Sequence, residues 1–176
     1  GLLLILVYVT GAQPTETATS TGSVQAVLAP QAEITSRLSV AESGIEGNNH
    51  SGEPYVSANG RFVVFQSAAS NLVPNDNNDA IDIFWLDRET GELRRVSVNN
   101  DGEAGNFDST HPVVSDDGQI IAFESNATNL VDGDNNNVSD IFYHDLRDQR
   151  TRRASRGADN AFTNDVSYAP DISSDG

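Results

Sequence analysis

A 58-residue repeat is the feature that most restricts what this chain can fold into. Segments 37–94 and 95–152 align without an insertion and share 25 of 58 residues, and a third copy begins at Arg153. Three prolines, three serines and three glycines keep this spacing, at Pro54, Pro112 and Pro170, at Ser57, Ser115 and Ser173, and at Gly60, Gly118 and Gly176. A period of this length indicates a supersecondary unit that cannot bury its apolar face without a neighbouring copy.

Each copy has the pattern of four short β-strands. Apolar residues alternate with period two in short runs bounded by Gly, Pro, Asn and Asp, which is typical of strands and not of helices. The predicted strands are 54–57, 61–67, 82–87 and 93–98 in the first copy, and 112–115, 119–125, 140–145 and 151–155 in the second. Asn59-Gly60 and Asp117-Gly118 predict tight turns between the first two strands, because both dipeptides tolerate positive φ.

Four antiparallel strands per unit, repeated at constant length, predict an all-β fold of β-propeller blades. A β-helix would need shorter coils, and a sandwich would have no reason to keep the period. Between neighbouring blades we expect the side chains of Val63, Phe65, Ile83, Ile121, Phe123 and Ile141. We also expect Pro54 and Pro112 to start the innermost strands, where a missing N–H is tolerated.

The copies divide the chain into blades at 54–98 and 112–156, with the start of another blade at 170–176. Residues 34–40 match the fourth strand of a blade and are predicted to be an orphan outer strand that completes the last blade of a ring. Propellers have about 4 to 8 blades. We therefore interpret residues 34–176 as an incomplete propeller of about two and a half blades, cut from a longer protein.

The N-terminal region is predicted to lie outside the propeller. Leu2 to Val9 form an apolar run of 8 residues, too short for the about 20 that span a bilayer, and small residues follow. Residues 1–12 are therefore interpreted as the remnant of an export signal, with a truncated membrane anchor or a buried strand as the alternatives. Residues 13–33 are rich in Thr, Ser, Ala and Pro and predict a flexible linker. We expect a periplasmic or secreted protein with no membrane insertion after signal removal.

The charge of the chain restricts its partners. The formal net charge is −16, and all 10 cationic residues are Arg. Such a field repels nucleic acid and anionic membranes, so cations or basic protein patches are the plausible partners. The alternative is that the acidity only keeps the surface soluble. The absence of cysteine excludes disulfides and thiolate chemistry.

The loop between the second and third strands is the best candidate for a site. In the second copy it presents oxygen atoms at alternating positions, and calcium takes about 6 to 8 oxygen ligands. The candidate ligands are Asp132, Asp134, Asn136, the Val138 carbonyl and Asp140, with a less complete set of Asp76, Asn78 and Asp82 in the first copy. Calcium is the candidate cofactor. The alternative is that these side chains cap the loop through bonds to its backbone.

Catalysis has little support in the sequence. His50, His111 and His144 occupy different repeat positions, no H-E-x-x-H or G-x-S-x-G motif occurs, and Lys and Cys are absent. Recurring carboxylates are better explained as strand-end hydrogen-bonding groups than as a glycosidase pair, namely Asp82, Asp140, Asp87 and Asp145. No catalytic residue is therefore predicted.

Positions that differ between copies are where a binding surface would be expected. Tyr55 corresponds to Val113, Glu53 corresponds to His111, and Trp85 corresponds to Tyr143. Exposed aromatic side chains often anchor partners, although a Trp in a strand more commonly packs between blades.

Residues 54–67 and 112–125, each followed by Asp-Ile-Phe, resemble the repeats of TolB-like, WD-repeat-like propellers of exported bacterial proteins. The resemblance covers residues 34–176, with a longer loop at 68–81 and 126–139 than in the shortest TolB blades. It implies a periplasmic or secreted propeller used for binding, without implying an activity. We therefore expect a non-enzymatic module that binds a protein or an extracellular polymer. The alternatives are an accessory domain of a larger secreted hydrolase or peptidase, or a propeller glycoside hydrolase.

Overall fold

The computed structural model describes residues 35–157, 163 and 165–176, which form strands and no helix. The strands are β1 (Ser51–Val56), β2 (Phe62–Ser67), β3 (Asp82–Asp87), β4 (Leu93–Arg95), β5 (Ser109–Val114), β6 (Ile120–Ser125), β7 (Asp140–Asp145) and β8 (Arg150–Arg153). They make two four-stranded antiparallel sheets, β1-β2-β3-β4 and β5-β6-β7-β8, named blade 1 and blade 2 below. The all-β prediction of an incomplete propeller is confirmed.

The predicted signal remnant at 1–12 and the predicted linker at 13–33 lie outside the described residues. Within the described part of the chain, no helix is long and apolar enough to cross a membrane.

The innermost strands begin earlier than predicted because each contains a β-bulge. β1 starts at Ser51 and β5 at Ser109, and the register shifts before Tyr55 and Val113. The prediction that Pro54 and Pro112 start these strands is wrong. Both prolines lie inside the bulge, where the ladder is locally disrupted and a missing N–H leaves no partner unsatisfied.

The outermost strands are shorter than predicted. β4 ends at Arg95 and β8 at Arg153, and the chain beyond β4 turns back on itself through an isolated bridge between Val98 and Ala104. Val40 forms the corresponding bridge with Glu46, and residues 35–39 lie in no strand. The proposed pairing of 34–40 with a last blade stays a prediction.

A shared apolar core joins the two blades. Its main members are Phe62, Val64, Ile83 and Trp85 from blade 1, and Ile121, Phe123, Leu130 and Phe142 from blade 2. The rings of Phe62 and Trp85 stack with centroids 5.6 Å apart. Full burial of a large apolar side chain contributes about 1.5–3 kcal/mol, so this interface is a main source of stability.

The predicted interblade residues are partly correct. Ile83, Ile121 and Phe123 lie between the blades, whereas Val63 is on the opposite face of its strand from Val64, and Phe65 belongs to a second cluster with Phe84. Val63 and Phe65 share the face of β2 that points away from blade 2, and the described chain has no blade on that side. Ile141 is half-buried and lies outside both clusters.

Residues 165–176 lie against blade 2 as β5 lies against blade 1. The Ser109 N–H donates to the Ile81 carbonyl at 2.7 Å, and the Ser167 N–H donates to the Ser139 carbonyl at 2.8 Å. In the turns, a side chain on Gly118 would meet Phe62, and one on Gly176 would meet Ile120. The contacts of one junction therefore recur at the next, as the 58-residue register predicts.

Candidate functional site

The long loops that contain the predicted calcium ligands are organised around arginine. We name Asp76, Asn78, Asp82, Arg95 and Ser97 the first loop cluster. The second loop cluster contains the residues at the same repeat positions, Asp134, Asn136, Asp140, Arg153 and Ser155. The acidic and amide residues come from the loop and the start of the third strand, and the arginine ends the fourth strand.

In the second loop cluster the guanidinium group lies between two carboxylates. Arg153 Nη1 is 3.1 Å from Asp134 Oδ1, and Arg153 Nη2 pairs with Asp140 Oδ1. The three side chains are 0%, 3% and 0% exposed, respectively. The buried ion cluster therefore depends on the complete set, because a buried charge without its partner is very costly.

The first loop cluster has the same arrangement. Arg95 Nη1 is 2.9 Å from Asp76 Oδ1 and 3.1 Å from Asp82 Oδ2. The Ser97 hydroxyl donates to Asp82 Oδ1 at 2.6 Å.

Amide side chains connect each cluster to the linker that leads into the following blade. Asn78 Nδ2 donates to Asp82 Oδ2 at 3.0 Å and to the Gly105 carbonyl at 2.9 Å. Asn136 Nδ2 donates to Asp140 Oδ2 at 3.0 Å and to the Thr163 carbonyl at 2.8 Å. The clusters thus fasten the long loop of one blade to the chain entering the next.

Burial and charge act in opposite directions on the loop carboxylates. Burial raises the pKa of Asp76 and of Asp134, and the neighbouring arginine in each cluster opposes that rise. In each cluster the guanidinium group therefore favours the charged form of the carboxylate, which burial disfavours.

The predicted calcium ligands are only partly brought together. Asp134, Asn136 and Asp140 meet in the second loop cluster, whereas Asp132 is exposed. The Val138 N–H donates to Asn136 Oδ1 at 3.3 Å, which is the loop capping given as the alternative. Calcium binding stays a prediction, and calcium could bind here only by displacing an ion pair. A cation would compete with Arg153 for the carboxylates.

The sequence analysis missed the arginines. Arg37, Arg95 and Arg153 are 58 residues apart, the same spacing as the loop carboxylates, and that recurrence is the signal that could have identified them. Which carboxylates they pair with depends on the tertiary fold, since Arg37 pairs with Glu46 instead.

Asp87 and Asp145 form hydrogen bonds at the strand ends, as predicted, and each caps the turn that follows its strand. Asp87 Oδ1 accepts a hydrogen bond from the Glu89 N–H, and Asp145 Oδ1 accepts one from the Arg147 N–H, each at 2.9 Å. Hydrogen bonding from Arg61 is the main reason that the pKa of Asp87 is lowered to about 2.

His144 is the buried histidine of blade 2. It is 2% exposed, and its Nδ1 is 2.9 Å from the Thr151 hydroxyl, which in turn donates to the Val98 carbonyl. Blade 1 has Leu86 and Leu93 at the positions of His144 and Thr151.

We expect acid to destabilise the protein through His144. Burial lowers the pKa of His144 below its usual value of 6.5, so the unfolded chain binds a proton at a pH where the folded protein does not. The contribution of neutral His144 to the free energy of unfolding is therefore complete above the pKa that His144 has in the unfolded chain. It decreases as the pH falls below that value, until the lower pKa of the folded protein is reached. Thermal unfolding followed from pH 8 to pH 5 measures this effect.

The apolar pair of blade 1 supplies the matching control. The double variant His144→Leu and Thr151→Leu, which copies Leu86 and Leu93, should lose most of the decrease in melting temperature between pH 7 and pH 5. An unchanged pH dependence in this variant would contradict the assignment.

A second feature is the bulge of the innermost strands. We name Glu53, His111 and Ala169 the bulge positions, where φ is 46°, 51° and 55°. All three are exposed. The His111 N–H donates to Gln66 Oε1 at 3.2 Å, and the Ala169 N–H donates to Glu124 Oε1 at 2.6 Å. The preceding blade thus holds the backbone of two bulge positions in the same conformation, while the side chain differs.

The aromatic residues that differ between copies have different locations. Trp85 is 5% exposed and packs in the interblade core, so the packing alternative is confirmed for it. Tyr55, next to the bulge, is 39% exposed. Tyr168, next to Ala169, is 75% exposed.

No family model matches the chain, and no curated protein matches it. Similar solved structures include TolB from Acinetobacter baumannii, with 21% sequence identity, 62% of this chain and 22% of that chain covered, and a TM-score of 0.38. They also include the β-propeller domain of the Trilobed protease from Pyrococcus furiosus, with 18% sequence identity and a TM-score of 0.38. That match covers 60% of this chain and 27% of the other. The tricorn protease is also similar, with 20% sequence identity and a TM-score of 0.45. That match covers 72% of this chain and 10% of the other.

The chain spans only 10% to 27% of the length of these structures. Because the three TM-scores lie below 0.5, the fold assignment rests on the strand order and on the recurring interblade contacts. The described chain has the fold of successive β-propeller blades, and the structures similar to it include TolB and peptidase propellers.

Proposed function

We propose that this protein is a non-enzymatic, exported, TolB-like propeller that binds a protein or an extracellular polymer. The bulge positions are the observation that carries the proposal. Glu53, His111 and Ala169 share one exposed backbone conformation and present an acidic, an imidazole and a methyl side chain. A constant scaffold with variable exposed side chains is typical of binding surfaces.

The exposed aromatic residues beside the bulge support the same proposal. Tyr55 lies two residues after Glu53 and is 39% exposed. Tyr168 lies directly before Ala169 and is 75% exposed. Tyrosine provides a large contact area and a hydroxyl group, and it is enriched at binding hot spots.

The loop clusters are given a supporting role in this proposal. In each cluster one arginine pairs with two of the carboxylates predicted to bind calcium, and these ion pairs connect the long loop to the fourth strand. If calcium binds in addition, millimolar calcium should raise the melting temperature of the unmodified chain.

The test is recovery and titration of a partner. The immobilised chain is exposed to a bacterial envelope extract, the retained protein or polymer is purified, and its affinity is measured by calorimetry against the unmodified chain. The double variant Glu53→Ala and His111→Ala should bind at least about tenfold more weakly, because alanine removes two central contacts.

A matched control is available at the opposite ends of the strands. Glu89 lies in the turn between β3 and β4, and its side chain is 70% exposed. Glu89→Ala should leave the affinity unchanged. Equal binding by the bulge variant and the control would contradict the proposal, as would hydrolysis of the retained partner by the chain alone.

A further inference from the structure

A polar cavity opens at the loop end of blade 1. The segment before β1, the segment after β2 and the long loop each supply part of its wall. The polar lining side chains are those of Asn48, Asn49, Ser70, Asp76, Asn78 and Asp79.

One wall of the cavity is preorganised. Asn48 Nδ2 donates to Ser70 Oγ at 3.0 Å, and the Ser70 N–H donates to Asn48 Oδ1 at 3.0 Å. On the opposite side, Asn78 and Asp76 are fixed by the first loop cluster. These hydrogen bonds order part of the lining before a ligand binds, which lowers the entropy cost of binding.

Several polar groups of the lining belong to exposed residues and form no hydrogen bond with another described residue, so they are free to contact a ligand. Asn49 Oδ1 accepts from the His50 N–H at 2.8 Å, while Asn49 Nδ2 has no acceptor there. Ser70 Oγ accepts from Asn48 and donates to none of the described residues. The Asp79 carboxylate has no hydrogen-bond partner among them, and its residue is held at a φ of 54°.

These groups fit the chemistry of a sugar hydroxyl. A hydroxyl both donates and accepts, so it can satisfy the Asp79 carboxylate together with the Asn49 amide or the Ser70 hydroxyl. Asp76 and Asp82 share the single charge of Arg95, whereas Asp79 forms no ion pair with a described residue. The net charge of −16 disfavours polyanions, and the lining offers too little apolar surface for a hydrophobic ligand.

Blade 2 repeats the backbone of this region with a different lining. Asn106 and Thr128 form the same pair of hydrogen bonds, at 3.0 and 2.9 Å. Asn137 has a φ of 55°, matching Asp79. At the repeat position of Asn49, blade 2 has Phe107, which is 56% exposed. An exposed aromatic ring beside amide groups can pack against the C–H face of a sugar.

We propose that the loop ends of both blades bind a neutral saccharide. Asn49, Ser70 and Asp79 contact hydroxyl groups in blade 1, and Phe107 packs against a sugar ring in blade 2. This inference rests on the proposed binding function and specifies one polymer class for it. The sites on the two blades would bind the same saccharide molecule at once, so that affinity increases with the length of the saccharide.

The test titrates the intact chain by calorimetry with cellohexaose and chitohexaose as neutral saccharides and with oligogalacturonate as a polyanion. We expect heat from at least one neutral hexaose and none from oligogalacturonate. Asn49→Ala should weaken binding about fivefold, as the loss of one neutral hydrogen bond does. Asp79→Ala should weaken it about tenfold, since a bond to a charged group is stronger. Phe107→Ala should weaken it about fivefold or more.

Glu89→Ala, in the turn at the opposite ends of the strands, is the matched control and should bind as the unmodified chain does. All variants are first checked for unchanged thermal unfolding. Absence of binding to both hexaoses, or equal binding by the Asn49, Asp79 and Phe107 variants, would overturn the saccharide proposal. If an envelope partner still requires Glu53 and His111 in that case, the general binding function stands and only its saccharide specificity fails.

Discussion

Replacing Arg153 by alanine should destabilise the protein by about 3–5 kcal/mol, the usual cost of removing one partner from a buried ion pair. The substitution leaves Asp134 and Asp140 buried without their counter-charge, at side-chain exposures of 3% and 0%. It also removes the hydrogen bond from Arg153 Nη2 to the Thr163 carbonyl, 2.8 Å long, which connects the cluster to the next linker. Urea unfolding at pH 7 measures the loss.

The neighbouring residue is the control for this substitution. Arg152 is 36% exposed and pairs with the exposed Asp148, so Arg152→Ala should cost less than about 1 kcal/mol. Both variants remove one positive charge and one long side chain from the same strand. A similar small loss for Arg152 and Arg153 would show that the second loop cluster is not an essential ion cluster.

The same variant tests the calcium prediction. If the oxygen atoms of the second loop cluster can bind calcium, removal of Arg153 frees Asp134 and Asp140 for the ion. Calcium should then restore part of the stability lost by Arg153→Ala, with a smaller effect on the unmodified chain. No change in melting temperature of either protein at millimolar calcium would remove the prediction.

Gly118→Ala should be the most damaging small substitution at the junction between the blades. A Cβ atom at Gly118 would lie 2.7 Å from Cδ1 of Phe62 and closer still to Cγ and Cδ2, so the ring must move. The left-handed conformation at φ +72° adds about 1–2 kcal/mol for any L-residue other than glycine. Overpacking adds about 1–3 kcal/mol.

Gly60 separates these two contributions. It occupies the same position in the turn of blade 1 with the same φ of +72°, and the nearest atom to an added methyl group would be Arg88 Nη1 at 4.0 Å. Gly60→Ala should therefore lower the free energy of unfolding only by the cost of the left-handed conformation. The difference between the two variants in urea unfolding measures the contact between blades. Equal losses would contradict the packing of the Gly118 turn on Phe62.

The repeat register and the alternation of apolar residues were enough to predict four strands per blade, and β3 and β7 have the predicted bounds. These features are local, because strand periodicity is present in the order of the residues. The bulge was missed because it depends on a single residue at positive φ before each proline, and Glu53 and Ala169 are unusual residues for that conformation.

The sequence predicted the position of the candidate site but missed its arginine, and calcium binding there stays a prediction. The sequence placed Asp134, Asn136 and Asp140 near one another because they lie within seven residues. It could not place Arg153 among them, since the arginine is 19 residues from Asp134 and reaches it only after β7 and β8 have paired. The guanidinium group of Arg153 pairs with two of the carboxylates for which calcium was predicted.

By itself the sequence determined the unit, its four strands and the requirement that copies pack face to face, because periodicity and chain length leave few other ways to bury the apolar residues. Tertiary structure decided which face of each strand meets the neighbouring blade, which carboxylates become buried, and which side chains neutralise them. Those outcomes depend on distances between residues far apart in the chain, and such distances exist only once the sheets have formed and packed.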